Sequence, residues 1–173
     1  MSREDLVVIR SLDGSGGAAF SPCGQYRYQL WRTWDAARPK AVFIMLNPST
    51  ADQATNDPTV ERCQRRAAAM GFGGLLVGNL FALRSTDPAA LYTHTDPVGP
   101  DNNASILEIA AGAGIVICAW GKHGSCYGDR GSRVRSALQG AGMDLHYLKL
   151  NKDGTPAHPL YIPYGTLPQR WEA

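Results

Sequence analysis

The stretch AVFIMLNPSTADQATNDPT, residues 41–59, changes from apolar to polar at Asn47. Its first six residues are all apolar, which is typical of a strand covered on both faces in a mostly parallel sheet. Asp57 and Pro58 predict that a helix follows, because aspartate caps helix N-termini and proline is favoured in the first turn. The stretch therefore predicts a central strand, a polar loop and a helix, with Asp57 as the cap rather than a catalytic group.

Apolar runs and segments of helical periodicity alternate through most of the chain. This order builds a parallel sheet with helices on both faces, since right-handed crossovers connect parallel strands. We therefore predict a three-layer α/β/α fold around a mostly parallel four-stranded sheet, in one domain of residues 1–173. The later strands are predicted at 74–83, 114–120 and 145–150, and the helices at 58–70, 88–92, 100–113 and 132–139.

Two segments lie outside this alternating pattern. Residues 26–34 alternate large side chains and predict a strand that pairs with residues 7–9 as an antiparallel edge. The tail after residue 150 contains four prolines and is predicted to be non-helical. We therefore expect one N-terminal antiparallel strand pair and no helix in the tail.

Composition excludes several classes of protein. A formal charge of +2 is too small to identify a polyanionic partner. The four cysteines form neither a C-x-x-C pair nor a cluster at zinc spacing, so we expect no metal ion and no cofactor. No apolar run reaches the ~20 residues of a membrane span, and residues 1–10 lack the apolar core of a signal peptide. We expect a cytoplasmic protein with reduced thiols and no membrane partner.

Polar residues follow each of the four predicted parallel strands. In such sheets ligands bind beyond the carboxyl ends of the strands, where the loops gather at one edge. We therefore predict a pocket at this edge. The segments placed there are 47–50, Asn79 with 84–86, 120–123, and Asn151-Lys152 with the loop through 158–159.

Four residues at this edge are candidates for catalysis. Asn47 can hold a water molecule or recognise the edge of a nucleobase, unless its Asn-Pro pair only starts a turn. Asp52 can orient a nucleophilic water, and its alternative is a solvated loop position. His123 and His158 can each donate a proton to a leaving group, because imidazole titrates near neutral pH. The alternative for both histidines is a solvated loop.

Further residues at this edge are candidates for substrate binding. Asn79 lies within an apolar strand, where its amide needs either a ligand or a structural hydrogen bond from a neighbouring loop. Trp120 can stack on a planar ligand or pack in the core. The full set of predicted binding residues is Pro48, Ser49, Thr50, Asn79, Trp120, Gly121 and Lys122.

Two groups of arginines are candidates for phosphate contacts. The first comprises Arg62, Arg65 and Arg66, and the second comprises Arg130, Arg133 and Arg135. The alternative is that both groups are solvated helix faces. No P-loop and no G-x-S-x-G motif occurs in the sequence, so phosphoryl transfer and serine hydrolysis lose support.

Five stretches of the sequence form a distinctive combination. They are FSPCGQYRYQLWRTW, FIMLNPSTADQATNDPTVERC, LLVGNLFALRSTDP, DNNASI and VICAWGKHG. Together they resemble the bacterial and phage domain-of-unknown-function family 1643, over nearly the whole chain. That resemblance implies no established activity.

Short motifs are also similar in order to those of the uracil-DNA glycosylase superfamily. They are LNPS after a strand, an asparagine on the next buried strand, WG closing a later strand, and a terminal HP loop. This resemblance implies a uracil-DNA glycosylase-like fold, in which Asn47 positions water, Asn79 recognises the base and His158 faces the leaving base. The chain departs from that pattern in the loop AHPLYIPY, and by having Asn47 where the most active glycosylases have an aspartate.

Three functional hypotheses follow from these residues. The first is a nucleobase-processing enzyme, an N-glycosidic hydrolase of the uracil-DNA glycosylase type. The alternative is a non-catalytic protein that binds a nucleotide or a nucleic acid. The third is an unrelated small-molecule enzyme, in which Arg84 binds a carboxylate.

Overall fold

The computed structural model describes residues 5–172. The absence of a signal peptide was predicted from residues 1–10, of which the first four lie outside the described residues. The described chain is a mixed α/β protein with an eight-stranded sheet. The strands are β1 (Val7–Arg10), β2 (Gly16–Phe20), β3 (Arg27–Thr33), β4 (Lys40–Met45), β5 (Gly74–Asn79), β6 (Ile115–Cys118), β7 (Leu145–Tyr147) and β8 (Gln169–Trp171). The α-helices are α1 (Pro58–Ala69), α2 (Ala90–Thr93), α3 (Asn102–Ala111) and α4 (Cys126–Gly140), and Lys122–Ser125 and Pro159–Tyr161 form short 3-10 helices.

The strand order across the sheet is β1-β2-β3-β5-β4-β6-β7-β8. Strand β4 pairs in parallel with β5 and with β6, and β6 pairs in parallel with β7. The remaining ladders, β1 with β2, β2 with β3, β3 with β5 and β7 with β8, are antiparallel. The predicted sheet of four mostly parallel strands plus one antiparallel pair is therefore too small, and antiparallel ladders outnumber parallel ones.

Strand β2 is the N-terminal element that the sequence did not predict. Its sequence is GGAAF, which lacks the large alternating side chains that indicate a strand. A β-carbon at Gly17 would lie 2.2 Å from the Trp31 ring, and one at Gly16 would lie 2.6 Å from the carbonyl oxygen of Gln53. The predicted pairing of residues 26–34 with residues 7–9 is wrong, because β2 lies between these two strands.

Helices cover both faces of the sheet. On one face, Val60, Cys63 and Ala67 of α1 pack against a cluster that includes Phe43 and Val77. The opposite face carries α3 and α4, whose inward residues pack against alternate side chains of the same strands. That second cluster contains Val42, Ile44, Val116, Ile106, Ile109, Val134 and Leu138. The continuous apolar run of β4 is thus explained by burial on both faces.

The tail differs from the prediction. It contributes β8, which pairs antiparallel with β7, and the short 3-10 helix Pro159–Tyr161, so it is not entirely non-helical. Helix α4 was predicted from Ser132, and its right-handed part begins close to that residue, after a left-handed segment at 127–129. Tyr127 has a φ of 57° and Asp129 a φ of 56°, which are conformations that non-glycine residues rarely adopt.

None of the four cysteines forms a disulfide. Cys63 and Cys118 are buried, and burial raises the pKa of both thiols, which keeps them protonated and unreactive. No helix within residues 5–172 is long and apolar enough to cross a bilayer.

Replacement of Gly16 by alanine is expected to destabilise the protein by about 1–3 kcal/mol, because the added β-carbon overlaps the backbone oxygen of Gln53. Gly112 provides the matched control, since a β-carbon there meets no atom within 4 Å. Urea unfolding of both variants measures the difference. Equal stability of G16A and G112A would contradict the close approach of the loop to β2.

Candidate functional site

A cavity of about 550 Å³ lies at the carboxyl ends of β4, β5, β6 and β7. This volume is in the range of small-molecule sites. Eight of the eleven predicted site residues line it, namely Asn47, Ser49, Asn79, Trp120, Gly121, Lys122, His123 and His158. The sequence did not single out several other lining residues, including Arg27, Thr59, Lys149 and Tyr161.

The floor of the cavity contains a buried arginine and a buried asparagine. Arg27 and Asn79 are only 2% and 1% exposed. Arg27 Nη1 donates to the carbonyl oxygen of Ala51 at 2.9 Å, and its Nη2 donates to Asn79 Oδ1 at 3.5 Å. Burial lowers the pKa of Arg27 to about 10, and Asp57 opposes this shift, so the guanidinium is charged at neutral pH. Since Oδ1 faces the guanidinium, Asn79 Nδ2 is the donor available to a ligand.

Side chains of α3 and α4 bind the backbone carbonyls at the end of β5. The Nδ2 atom of Asn102, which is fully buried, donates to the carbonyl oxygens of Asn79 at 2.9 Å and of Leu80 at 3.0 Å. Arg130 Nε donates to the same Leu80 oxygen at 3.0 Å. These bonds hold the end of β5, and with it the position of the Asn79 side chain.

Asn47 joins the loop after β4 to the loop after β5. Its Nδ2 donates to the carbonyl oxygen of Ser85 at 2.9 Å and, at longer distance, to those of Pro48 and Leu83. Among residues 5–172, its Oδ1 accepts no hydrogen bond. Asn47 therefore presents an acceptor, and not a donor, to anything that enters the cavity.

Of the two aspartates between β4 and α1, Asp57 lines the cavity and Asp52 does not. Asp52 does not line the cavity, and its Oδ1 accepts from the backbone N–H groups of Ala54 and Thr55, which lowers the pKa of its carboxyl. Asp57 lines the cavity and also caps α1, accepting from Val60 N at 2.8 Å. The carboxylate placed to act in the cavity is therefore Asp57.

His158 lies at the start of the 3-10 helix Pro159–Tyr161. Its Nδ1 accepts from the backbone N–H of Leu160 at 3.3 Å, so the proton of the neutral ring is on Nε2. Burial lowers the pKa of His158 below its ordinary value of 6.5, and Asp57 opposes that shift. The neutral ring is thus the main form at neutral pH, with Nε2–H as a donor.

The loop after β6 is closely packed against the tail. Gly121 has a φ of 77°, its N–H donates to Pro156 O at 2.8 Å, and a β-carbon on it would lie 3.7 Å from that of His158. His123 Nδ1 is 2.9 Å from the hydroxyl of Tyr92, which holds the imidazole at the rim. These contacts bring the two histidine-bearing loops to the same cavity.

Trp120 lines the cavity but is only 2% exposed. Its ring packs 5.8 Å from that of Trp171 and lies so close to Gly124 and Gly131 that a β-carbon on either would overlap it. The predicted stacking of Trp120 on a planar ligand is therefore unsupported, because the ring belongs to the core. Tyr161 at the rim is 88% exposed and offers an open aromatic face instead.

Two further predicted residues do not line the cavity. Pro48 is buried behind it and accepts from Ser85 N at 2.9 Å, which fixes the loop. Thr50 is exposed outside the cavity. Within residues 5–172, no group of three His, Cys, Asp or Glu side chains is arranged to hold a metal ion.

The arginines of α1 hold the tail and do not form a free basic surface. Arg66 is 2% exposed and donates to the carbonyl oxygens of Ile162 at 3.0 Å, Pro163 at 3.1 Å and Thr166 at 2.8 Å. Arg62 donates to Pro159 and Ile162 and lies 4.3 Å from the centre of the Tyr164 ring. Arg65 pairs with Glu61 on the exposed side of the helix.

The arginines of α4 are also engaged within the chain. Arg130 is buried, and burial lowers its pKa to about 10. Arg133 donates to Tyr127 O at 2.8 Å, while Arg135 donates to Glu172 O and stacks on Trp171. The predicted phosphate-tracking role of these groups is unsupported, since their guanidinium groups mainly hold loops and the C-terminal strand.

Replacement of Arg66 by methionine is expected to lower the free energy of unfolding by about 3 kcal/mol, because four tail carbonyls lose a charged donor. The matched control is R65M on the exposed side of the same helix, which should leave stability unchanged. Guanidinium chloride unfolding provides the measurement. A stable R66M protein would show that the tail is held by other contacts.

The half-buried His158 is expected to make stability fall as the pH is lowered through its ordinary pKa of 6.5. The unfolded chain takes up that proton before the folded chain does, so the folded state is penalised. Unfolding free energies measured between about pH 8 and pH 5 should decrease more for the wild type than for H158Q. NMR titration of His158 checks the cause directly, and a pKa at or above 6.5 would contradict it.

Comparison with known proteins yields one family match. The model of the family described as "Protein of unknown function (DUF1643)" matches residues 27–160, which include every residue predicted for the site. No curated protein and no solved structure matches the chain. The resemblance to the uracil-DNA glycosylase fold thus has no support from these comparisons. The chain belongs to the DUF1643 family of proteins of unknown function.

Proposed function

We propose that the cavity binds a nucleobase and that the protein is an N-glycosidic hydrolase. The observation that carries this proposal is the pairing of Arg27 with Asn79 Oδ1, which leaves the amide Nδ2 as a fixed donor in a largely closed floor. A buried amide held in one orientation is suited to recognising the edge of a base.

The polar groups on the cavity wall suit a base bound in the plane of the strand ends. Asn79 Nδ2 donates to a carbonyl oxygen of the base. Tyr161 stacks on the base from the rim, where its ring is 88% exposed.

The departure of the base requires a group that stabilises negative charge. His158 is neutral and carries its proton on Nε2, so it donates a hydrogen bond to the base as the glycosidic bond breaks. The bonding electron pair moves to the base nitrogen, and the sugar C1′ becomes an oxocarbenium ion.

The attacking water requires an acceptor for its proton. Asp57 Oδ1 accepts from Val60 N, and the second carboxylate oxygen is available to the water. Asn47 Oδ1 accepts the other water hydrogen and sets its orientation. The oxygen bonds to C1′ and one proton passes to Asp57. The base leaves as an anion that accepts the hydrogen bond of His158 Nε2–H, and it then takes a proton from solvent.

A non-catalytic nucleotide-binding or nucleic-acid-binding protein is the second candidate. The observation that favours it is the engagement of Asp57, the carboxylate that lines the cavity, as the cap of α1. The cap occupies one carboxylate oxygen with the N–H of Val60, and only the other oxygen is left for a ligand or a water. In this case the pocket holds its ligand without turnover.

Substitution of Asp57 by asparagine separates the two candidates, because asparagine caps helices as well as aspartate does but cannot accept a proton. The measurement is release of free base, followed by mass spectrometry, from nucleosides, nucleotides and oligonucleotides with common and modified bases. We expect D57N to lose turnover by about 10²- to 10⁴-fold. D52N is the matched control and should retain full activity, because Asp52 lies outside the cavity.

The remaining outcomes are also decisive. Binding of bases or nucleotides without base release from any substrate would favour the non-catalytic candidate. Turnover that is equal in D57N and the wild type would remove Asp57 from the mechanism. Loss of binding in N79A, with the fold retained, is expected under both candidates.

A further inference from the structure

The charges that line the cavity are mostly positive. Three cationic side chains, Arg27, Lys122 and Lys149, face a single carboxylate, that of Asp57. Arg27 is occupied by Ala51 and Asn79 at the floor, whereas both lysines are exposed. The two lysines form no salt bridge with any residue in the described part of the chain. Lys122 has Asp153, which does not line the cavity, as an electrostatic neighbour. The two lysines are the lining cations available to bind an anionic group on a ligand.

The two lysines lie at one end of the cavity. Lys122 follows β6 and Lys149 follows β7, and these strands are parallel neighbours. The segment 156–157 joins the two loops, since Gly121 N–H donates to Pro156 O and Ala157 N–H donates to Lys149 O, both at 2.8 Å. Lys122 and Lys149 therefore flank the segment that leads into His158, next in the chain after Ala157.

The amide at the floor lies at the opposite end of the cavity. Asn79 ends β5, and the strand order β5-β4-β6-β7 places two strands between the ends at Asn79 and Lys149. Neighbouring strands are about 4.8 Å apart, so these ends are separated by roughly 14 Å. An extended mononucleotide spans such a distance, with the base at one end, the sugar in the middle and the phosphate at the other.

We infer that the substrate is a free nucleoside monophosphate, whose base contacts Asn79 and whose phosphate is bound by Lys122 and Lys149. This inference rests on the proposed function and adds the substrate class to it. His158 follows Ala157 and lies against Gly121, after the central strands of this row, on the side of the cavity that the sugar of such a ligand would occupy.

The surfaces around the cavity disfavour a polynucleotide. Binding along a nucleic-acid backbone needs a run of free cations. The arginines of α1 and α4 are instead bonded to the tail, to Tyr127 and to Glu172, as described above. The two lysines that line the cavity suit one phosphate group and not a chain of them.

Calorimetric titration with defined probes tests the inference. The probes are the common ribonucleosides and deoxyribonucleosides, their 5′-monophosphates, and a single-stranded oligonucleotide of mixed sequence. At least one monophosphate is expected to bind about ten- to a hundredfold more tightly than its nucleoside, as charge-assisted contacts to one phosphate predict. The double variant K122M/K149M should lose this preference and bind the nucleoside as the wild type does.

The matched control is K152M, which removes an exposed lysine of the same tail that does not line the cavity. It should keep the full preference for the monophosphate. Equal binding of nucleoside and monophosphate, or tighter binding of the oligonucleotide, would overturn the inference and leave the proposed function standing. A lack of binding by every probe would overturn both. An unchanged preference in K122M/K149M would place the phosphate elsewhere and overturn the lysine assignment.

Discussion

Arginine side chains that donate to backbone carbonyl oxygens hold the loops that form the cavity. Arg27 binds Ala51, and Arg32, which is 7% exposed, binds the carbonyls of Asp52, Gln53 and Thr55, so β3 fixes the loop after β4. Arg66 holds the tail in the same way from α1. A guanidinium group can satisfy several carbonyls at once, and a loop without helix or sheet bonds needs such partners when it is buried.

This arrangement determines the chemistry of the cavity as well as its shape. Arg27 orients the Asn79 amide while it holds the loop, so one side chain links the scaffold to the ligand-facing donor. The tail that α1 holds carries His158, whose ring is oriented by its own backbone through Leu160 N–H. The site is therefore organised before a ligand arrives, which reduces the entropy lost on binding.

Periodicity and capping residues predicted much of the fold. The apolar run ending at Leu46 and the pair Asp57-Pro58 gave a central strand and a capped helix, and both are present. Strand β2 was missed because it consists largely of glycine and alanine. Its glycines leave room for the Trp31 ring and the Gln53 carbonyl, which are distant in the sequence. The roles of Arg62, Arg66 and Arg135 were missed for a similar reason, since their partners are carbonyls of the tail that no local pattern reveals.

The sequence by itself determined that polar groups gather at the ends of buried strands, because apolar runs are local and strand direction follows from the crossovers. Only the tertiary structure decided which of these groups share a cavity. It placed Asp57 inside and Asp52 outside, and it put Trp120 into the core. Arg27 lies at the start of β3, which is antiparallel to β5, so it reaches the same edge of the sheet. A search of the carboxyl ends of parallel strands does not include it. These assignments depend on loop conformation and on hydrogen bonds between distant segments, neither of which has a periodic signal in the sequence.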